Sequence, residues 1–194
     1  LAGYVRVVDQ IAEFTGWLSQ MFVIIVVVVG FYNVFVRFLG RFIGAQLSSN
    51  VFIETQWYLF SLVFFLGFNY ILKHGIIVRV DFLYANWPRQ RQAAIDFWGN
   101  LLFLVPYCLI AIWVTINPVM TSWGRRSNGT WGPWEMSNDP GGLPRAPIKT
   151  MIIVAFVLLL LQAIAELIKL YPIMRTGEAI YGDEAVHDAP LRLE

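Results

Sequence analysis

Chemistry in a chain this apolar has to come from a short inventory. Its two histidines, His74 and His187, and its single cysteine, Cys108, are the only imidazoles and thiol it carries. Both histidines lie outside the long apolar runs, so the intramembrane histidine pair that holds the haem of a b-type cytochrome is missing. Cys, His and carboxylate residues nowhere recur at metal-ligand spacing. No Gly-rich phosphate loop and no Ser/His/Asp grouping appears. The sequence therefore predicts no enzyme, no cofactor and no metal site, and one cysteine allows no internal disulfide.

The polar residues inside the apolar runs are instead arranged for packing. Glu54, Tyr58, Ser61, Phe65 and Asn69 follow helical spacing along one face, as do Gly30, Asn33 and Arg37, and Gln162, Glu166 and Lys169. In lipid such groups seek partners, each interhelical hydrogen bond being worth roughly 0.6–2 kcal/mol. They serve either to stitch the chain's own helices together or to face a second membrane protein. Arg37 and Glu54 are placed to pair across the first loop, and Arg79 with Asp81 or Glu54 to pin the segment behind the second run. Arg37, Glu54, Asn69, Arg79 and Asp81 are thus the residues expected at a partner or scaffold interface.

A carrier acting alone would place ionisable groups and broken helices at mid-membrane and show internal repeats. Here the charges fall at the ends of the runs and no repeat is visible, so the chain is not expected to move a solute unaided. Pro106 and Pro118 read as kinks in a structural helix. A channel would need a charged ring or filter-like loop, and neither is present.

Four charge-free runs supply the elements that must position these groups: Phe14–Val36, Thr55–Leu72, Phe97–Gly124 and Thr150–Ala165. The composition agrees, with 58% hydrophobic and only 14% charged residues, too little polar surface to cover a soluble core. A formal charge of +1 gives no broad attraction to nucleic acid. At about 1.5 Å rise per residue the first three runs each cross a hydrocarbon core about 30 Å thick. The fourth is shorter, and the sequence predicts that Glu166 and Lys169 snorkel so that the helix continues. The expectation is an all-α integral membrane protein with spans at about 15–39, 55–73, 95–123 and 148–170. The first is too long for a signal-peptide core and follows acidic residues. The sequon Asn128-Gly-Thr130 reads as a chance match.

The segments between the spans have their own character. Residues 1–14 show amphipathic helical periodicity, with Arg6, Asp9, Gln10 and Glu13 on one face and Tyr4, Val8, Ile11 and Ala12 on another, and are expected to lie on the membrane surface. Residues 74–92 form a second interfacial segment, turned at Pro88 so that the third helix rises from Ala93. Residues 124–149 are too rich in Gly and Pro for a regular element. Trp57, Trp87, Trp98, Trp123, Trp131 and Trp134 are the expected anchors at the headgroup level. The membrane domain is read as 15–172 and residues 173–194 as a polar, acidic, mobile tail.

Taken in order, several of these residues resemble a family. Glu54 with Gln56-Trp57 opening a span, Gly67 within it, and Lys73 followed by Val78-Arg79-Val80-Asp81 resemble the small membrane subunit of tripartite ATP-independent periplasmic (TRAP) transporters. Pro140-Gly-Gly-Leu-Pro144 leading to Pro147-Ile-Lys149 is similar to the branch labelled mannitol/chloroaromatic compound transport. The family commonly has histidine two residues before the motif arginine, where this chain has Ile77.

The resemblance implies a four-helix protein of the bacterial inner membrane with both termini cytoplasmic. It implies a large polytopic partner that carries the sodium and substrate sites, and a periplasmic solute-binding protein. The small subunit would be a non-catalytic scaffold for uptake of an organic solute, with Glu54, Arg79 and Asp81 serving structure and assembly. Charge leans the same way: with termini inside, eight basic residues lie on the cytoplasmic side and six on the other. The alternative is a structural accessory subunit of another bacterial membrane complex, respiratory or photosynthetic, derived from the same family.

Overall fold

The computed structural model of the chain describes residues 1–44, 49–76 and 87–177. Four helices account for most of them: α1 (Ala2–Ile43), α2 (Asn50–His74), α3 (Arg89–Ser122) and α4 (Ala146–Thr176). All four are long and apolar enough to cross a membrane. Among the described residues no strand forms, and only two isolated bridges occur, both between α3 and α4 in sequence. The protein is an all-α membrane protein, as its apolar runs predict.

Hydrocarbon dictates the helices. Val23–Val29 is β-branched at every position, a composition that in water leans towards strand. In lipid the backbone must satisfy its own hydrogen bonds, and the run is helical throughout. In α3 the helix widens to a π turn at Asn100–Leu104. Pro106 follows, and its ring crowds the carbonyl four residues back, that of Leu102 inside the π turn, where the wider spacing makes room. The helix starts at Arg89, four residues before the expected Ala93. Pro88 stands just ahead of it in the extended conformation, where its missing N–H leaves no gap in the ladder.

Backbone contacts divide the chain into two compact units. The first comprises Leu1–Thr15, Phe68–Ala111 and the described residues from Phe156 onward. Its packing changes the reading of the N-terminal stretch: the expected surface helix is the beginning of α1, continuous with the first span. Val5 and Val8 pack with Ala165 of α4, flanked by Tyr4, Leu161 and Ile168. Ala12, Ala163 and Ala165 are fully buried, small residues that let helices approach closely. A second cluster joins Ala93 of α3 to Leu170 and Ile173 of α4. Ile173 to Thr176 therefore belong to α4; the rest of the expected tail from residue 178, like residues 77–86 of the expected interfacial segment, lies outside the described residues.

Ionic groups cross-link this unit. Lys169 Nζ lies 2.8 Å from Asp9 and 2.9 Å from Glu166, and Gln162 Nε2 donates to both carboxylates at 3.1 and 2.9 Å. Lys169, Glu166 and Gln162 are all buried, so the predicted snorkelling does not occur: an acid on the neighbouring helix meets the lysine inside the unit instead. Lys73 and His74 both reach Glu13, at 2.5 and 2.7 Å. Asn69 Nδ2 donates to Thr15 Oγ1 at 2.9 Å, and both side chains are buried.

The second unit comprises Gly16–Gly67 and Ile112–Ala155. In it the Ser19 hydroxyl donates to the Val63 carbonyl at 2.8 Å. Gly30 lets the Gln56 side chain cross α1, since a Cβ there would stand 2.5 Å from Gln56 Nε2. Tyr32 and Phe52 meet edge to face. The outer face of α1 stays bare, with Val27, Phe31, Phe38 and Phe42 all more than half exposed.

Lys169 is the single cation between two carboxylates. Lys169→Ala leaves Glu166 buried and Asp9 partly buried without a counter-charge and is expected to destabilise by about 3–5 kcal/mol. Asp9→Asn keeps the Lys169–Glu166 pair and should cost clearly less. Thermal unfolding in detergent checks both the size and the order.

Candidate functional site: a loop clamped by a membrane-helix carboxylate

Residues 123–145 contain no helix, yet the second unit fixes them closely. α3 ends in a Schellman motif: Gly124 at φ 95° donates to the Thr121 carbonyl at 2.9 Å, and Arg125 N–H to that of Met120 at 3.0 Å. Only glycine fits at 124. Besides its positive φ, a Cβ would stand 2.3 Å from the Gly132 carbonyl oxygen. The chain then folds back, with Arg126 N–H donating to Thr130 and Gly132 N–H to Gly124. Asn128 Oδ1 accepts from the Thr130 backbone at 3.1 Å and its hydroxyl at 2.7 Å, so the sequon residues form an Asx turn.

A second fold-back covers 136–144. Asp139-Pro-Gly-Gly142 makes a type II turn: Gly142 N–H donates to Asp139 at 3.0 Å, proline stands second, and Gly141 has φ 73°. Ser137 N–H reaches Leu143 at 3.2 Å, and Met136 bridges to Pro144. Into this fold-back comes Glu54 from α2. Its carboxylate accepts from the Ser137 hydroxyl and from Leu143 N–H. Tyr58, one turn on, donates to the Pro144 carbonyl at 3.1 Å. Gly142 leaves the notch open, since a Cβ would stand 2.8 Å from each Glu54 oxygen and 2.4 Å from Ser137 Cβ.

Glu135 closes the loop at its other end. One of its oxygens takes the Lys149 ammonium and the Ser122 hydroxyl, each at 2.5 Å. Its backbone bonds Ser122 and Arg145. The end of α3 and the start of α4 are thus tied through one carboxylate. The hydrogen bond from Lys149, followed by that from Ser122, holds the Glu135 carboxyl below the usual carboxylate range against the opposing pull of burial. Trp123 Nε1 donates to Thr150 at 2.8 Å, and its ring meets Trp134 edge to face.

The residues singled out by sequence divide accordingly. Glu54 and Asn69 are buried and make their hydrogen bonds within the chain. The expected Arg37–Glu54 pair does not form: Glu54 is taken by the loop, and Arg37 is exposed. Arg79, Asp81 and Ile77 lie outside the described residues. Trp57, Trp98, Trp131 and Trp134 are more than half exposed and Trp87 is 40% exposed, while Trp123 is drawn into packing. Sequence reasoning missed Ser137, the packing role of Gly142 and the grouping of Glu135 with Lys149 and Ser122. The Asp-Pro-Gly-Gly turn was the available signal, because a turn so specified brings its flanks together.

Four apolar helices, the last two joined by a loop held by a carboxylate of α2, define a multi-pass membrane protein of the four-span helical class. Residues 26–172 match the family model described as tripartite ATP-independent periplasmic transporters, DctQ component, and the chain belongs to that family. It is a small membrane subunit of this transporter type. No curated protein and no solved structure gives a significant match.

Two outcomes test the loop. Gly142→Ala drives a methyl into the Glu54 notch and should cost about 1–3 kcal/mol, the range of overpacked sites; Glu54→Ala in the same background should cost little more. Thermal melts read both. For Glu135 the folded pKa is depressed, so its stabilisation is complete above the ordinary value near 4.3 and is lost as pH falls through the lower folded value. Melting temperature should therefore drop below about pH 4, with a smaller drop in Glu135→Gln.

Proposed function

We propose that this chain is the non-catalytic scaffold of a sodium-coupled carrier for an organic solute. The large membrane subunit would translocate the solute and this chain would hold it in the bilayer. Members of the family work with such a large subunit and a solute-binding protein. One observation carries the scaffold reading. The polar groups Glu54, Asn69, Asp9, Glu166 and Lys169 are spent on the chain's own packing, while the outer face of α1 is left apolar and bare. Each of the two units thus satisfies its polar groups internally and leaves apolar side chains outside, which suits a part that supports a neighbour in the bilayer.

Within this reading Arg37, Arg79 and Asp81 face the large subunit. Glu54 and Asn69 serve assembly indirectly by fixing the loop and the helices. The exposed rings of Trp57, Trp87, Trp98, Trp131 and Trp134 sit at the headgroup levels of a bacterial inner membrane, with both termini cytoplasmic.

Mild detergent extraction should bring down a large polytopic carrier subunit with this chain. Uptake in whole cells should disappear when the chain is deleted, and Arg37→Glu or Arg79→Glu should reduce co-purification about tenfold, the equivalent of roughly 1.4 kcal/mol. Uptake that survives deletion would sink the proposal. Recovery of a respiratory or photosynthetic complex in place of a carrier would assign the chain to that complex as an accessory subunit.

A further inference from the structure

A cavity of about 820 Å³ opens beside the end of α3. Asn117, Met120 and Thr121 form its floor, and the fold-back carrying Arg125, Arg126 and Asn128 forms its wall. No carboxylate lines it, and among the described residues neither arginine is engaged in an ion pair.

The wall is built around its arginines. A Cβ on Gly132 would stand 2.9 Å from Arg126 Nε and 3.0 Å from Nη2, so the missing side chain at 132 makes the bed for this guanidinium. The Asx turn uses Asn128 Oδ1 twice, which leaves the amide nitrogen of that side chain as a donor. The Schellman bonds satisfy the carbonyls of Met120 and Thr121, so the helix end presents fewer bare acceptors to repel an anion. Two forked guanidiniums beside an amide donor match the oxygens of a phosphate.

The surroundings say what carries that phosphate. One turn before Asn117, Trp113 and Val114 are 75% and 54% exposed, an apolar track leading out of the cavity along α3. Trp131 and Trp134, both more than half exposed, stand on the loop itself, a residue type that collects at headgroup level. A soluble acidic partner would have no use for the apolar track. The geometry points to a binding site for the headgroup phosphate of an anionic glycerophospholipid, with Arg125 and Arg126 on the phosphate and an acyl chain against Trp113 and Val114. The site is independent of the scaffold reading.

Native mass spectrometry of the full chain, purified with whatever subunits accompany it, tests this. Phosphatidylglycerol should bind about tenfold more tightly than phosphatidylcholine, whose choline cation opposes the arginines. Arg125→Gln with Arg126→Gln should abolish that preference, and Arg125→Lys with Arg126→Lys should keep most of it; both arginines are exposed, and matched melting temperatures would show that the variants remain folded. The proposal is overturned if the preference survives the glutamine pair. It is overturned equally if inorganic phosphate binds in an arginine-dependent way and the lipid does not, or if a polyglutamate peptide does so in the lipid's place.

Discussion

A polar group carried on a membrane helix has no solvent to fall back on, so its partners must be built into the protein. Most of what distinguishes this chain from four apolar rods follows from how it meets that constraint. Glu54 needs donors, and the loop before α4 provides Ser137 and Leu143 by turning at Asp139-Pro-Gly-Gly142. Lys169 needs acceptors, and the start of α1 provides Asp9. Asn69 needs a hydroxyl and finds Thr15. The glycines at 30, 124, 132 and 142 stand where a partner must come close. Gln162 Oε1 marks the edge of the scheme, a buried oxygen that finds no donor among the described residues.

The helices were legible because hydrophobic length is a direct physical requirement, and the charge-free runs measured it. The N-terminal stretch was not. Its two faces have the pattern of a surface helix, but Val5 and Val8 meet α4 and Asp9 meets Lys169, contacts between residues more than 150 positions apart that periodicity does not encode. The same limit hid the partner of Glu54. An acid and a nearby arginine in sequence suggested each other, whereas the loop won by offering a backbone N–H and a hydroxyl already held in place. The start of α3 was misplaced by four residues because Pro-Arg-Gln-Arg-Gln looks like a turn, although proline is well suited to stand just before a helix.

Family membership and physical reading meet at the loop. The Gly-Gly-Leu-Pro stretch that suggested one branch of the family is the stretch that receives Glu54, so those residues have a packing reason to be what they are whatever the branch. Gly141 supplies the positive φ of the turn, Gly142 the notch and Leu143 the N–H donor. The bare face of α1 has no such internal explanation, and its aromatic side chains are part of an exposed apolar surface that also includes Phe103 and Trp113 of α3.

The Glu54 clamp also has a consequence in time. Its acceptor and its backbone donor lie 89 residues apart in the chain. At synthesis rates of about 5–20 residues per second, Glu54 waits on the order of ten seconds before Leu143 has been made. During that interval α2 carries an acid without its eventual donors, and the third helix must be in place before they arrive. The clamp is thus a late-closing contact, joining α2 to a segment that is made only after α3 and just before α4.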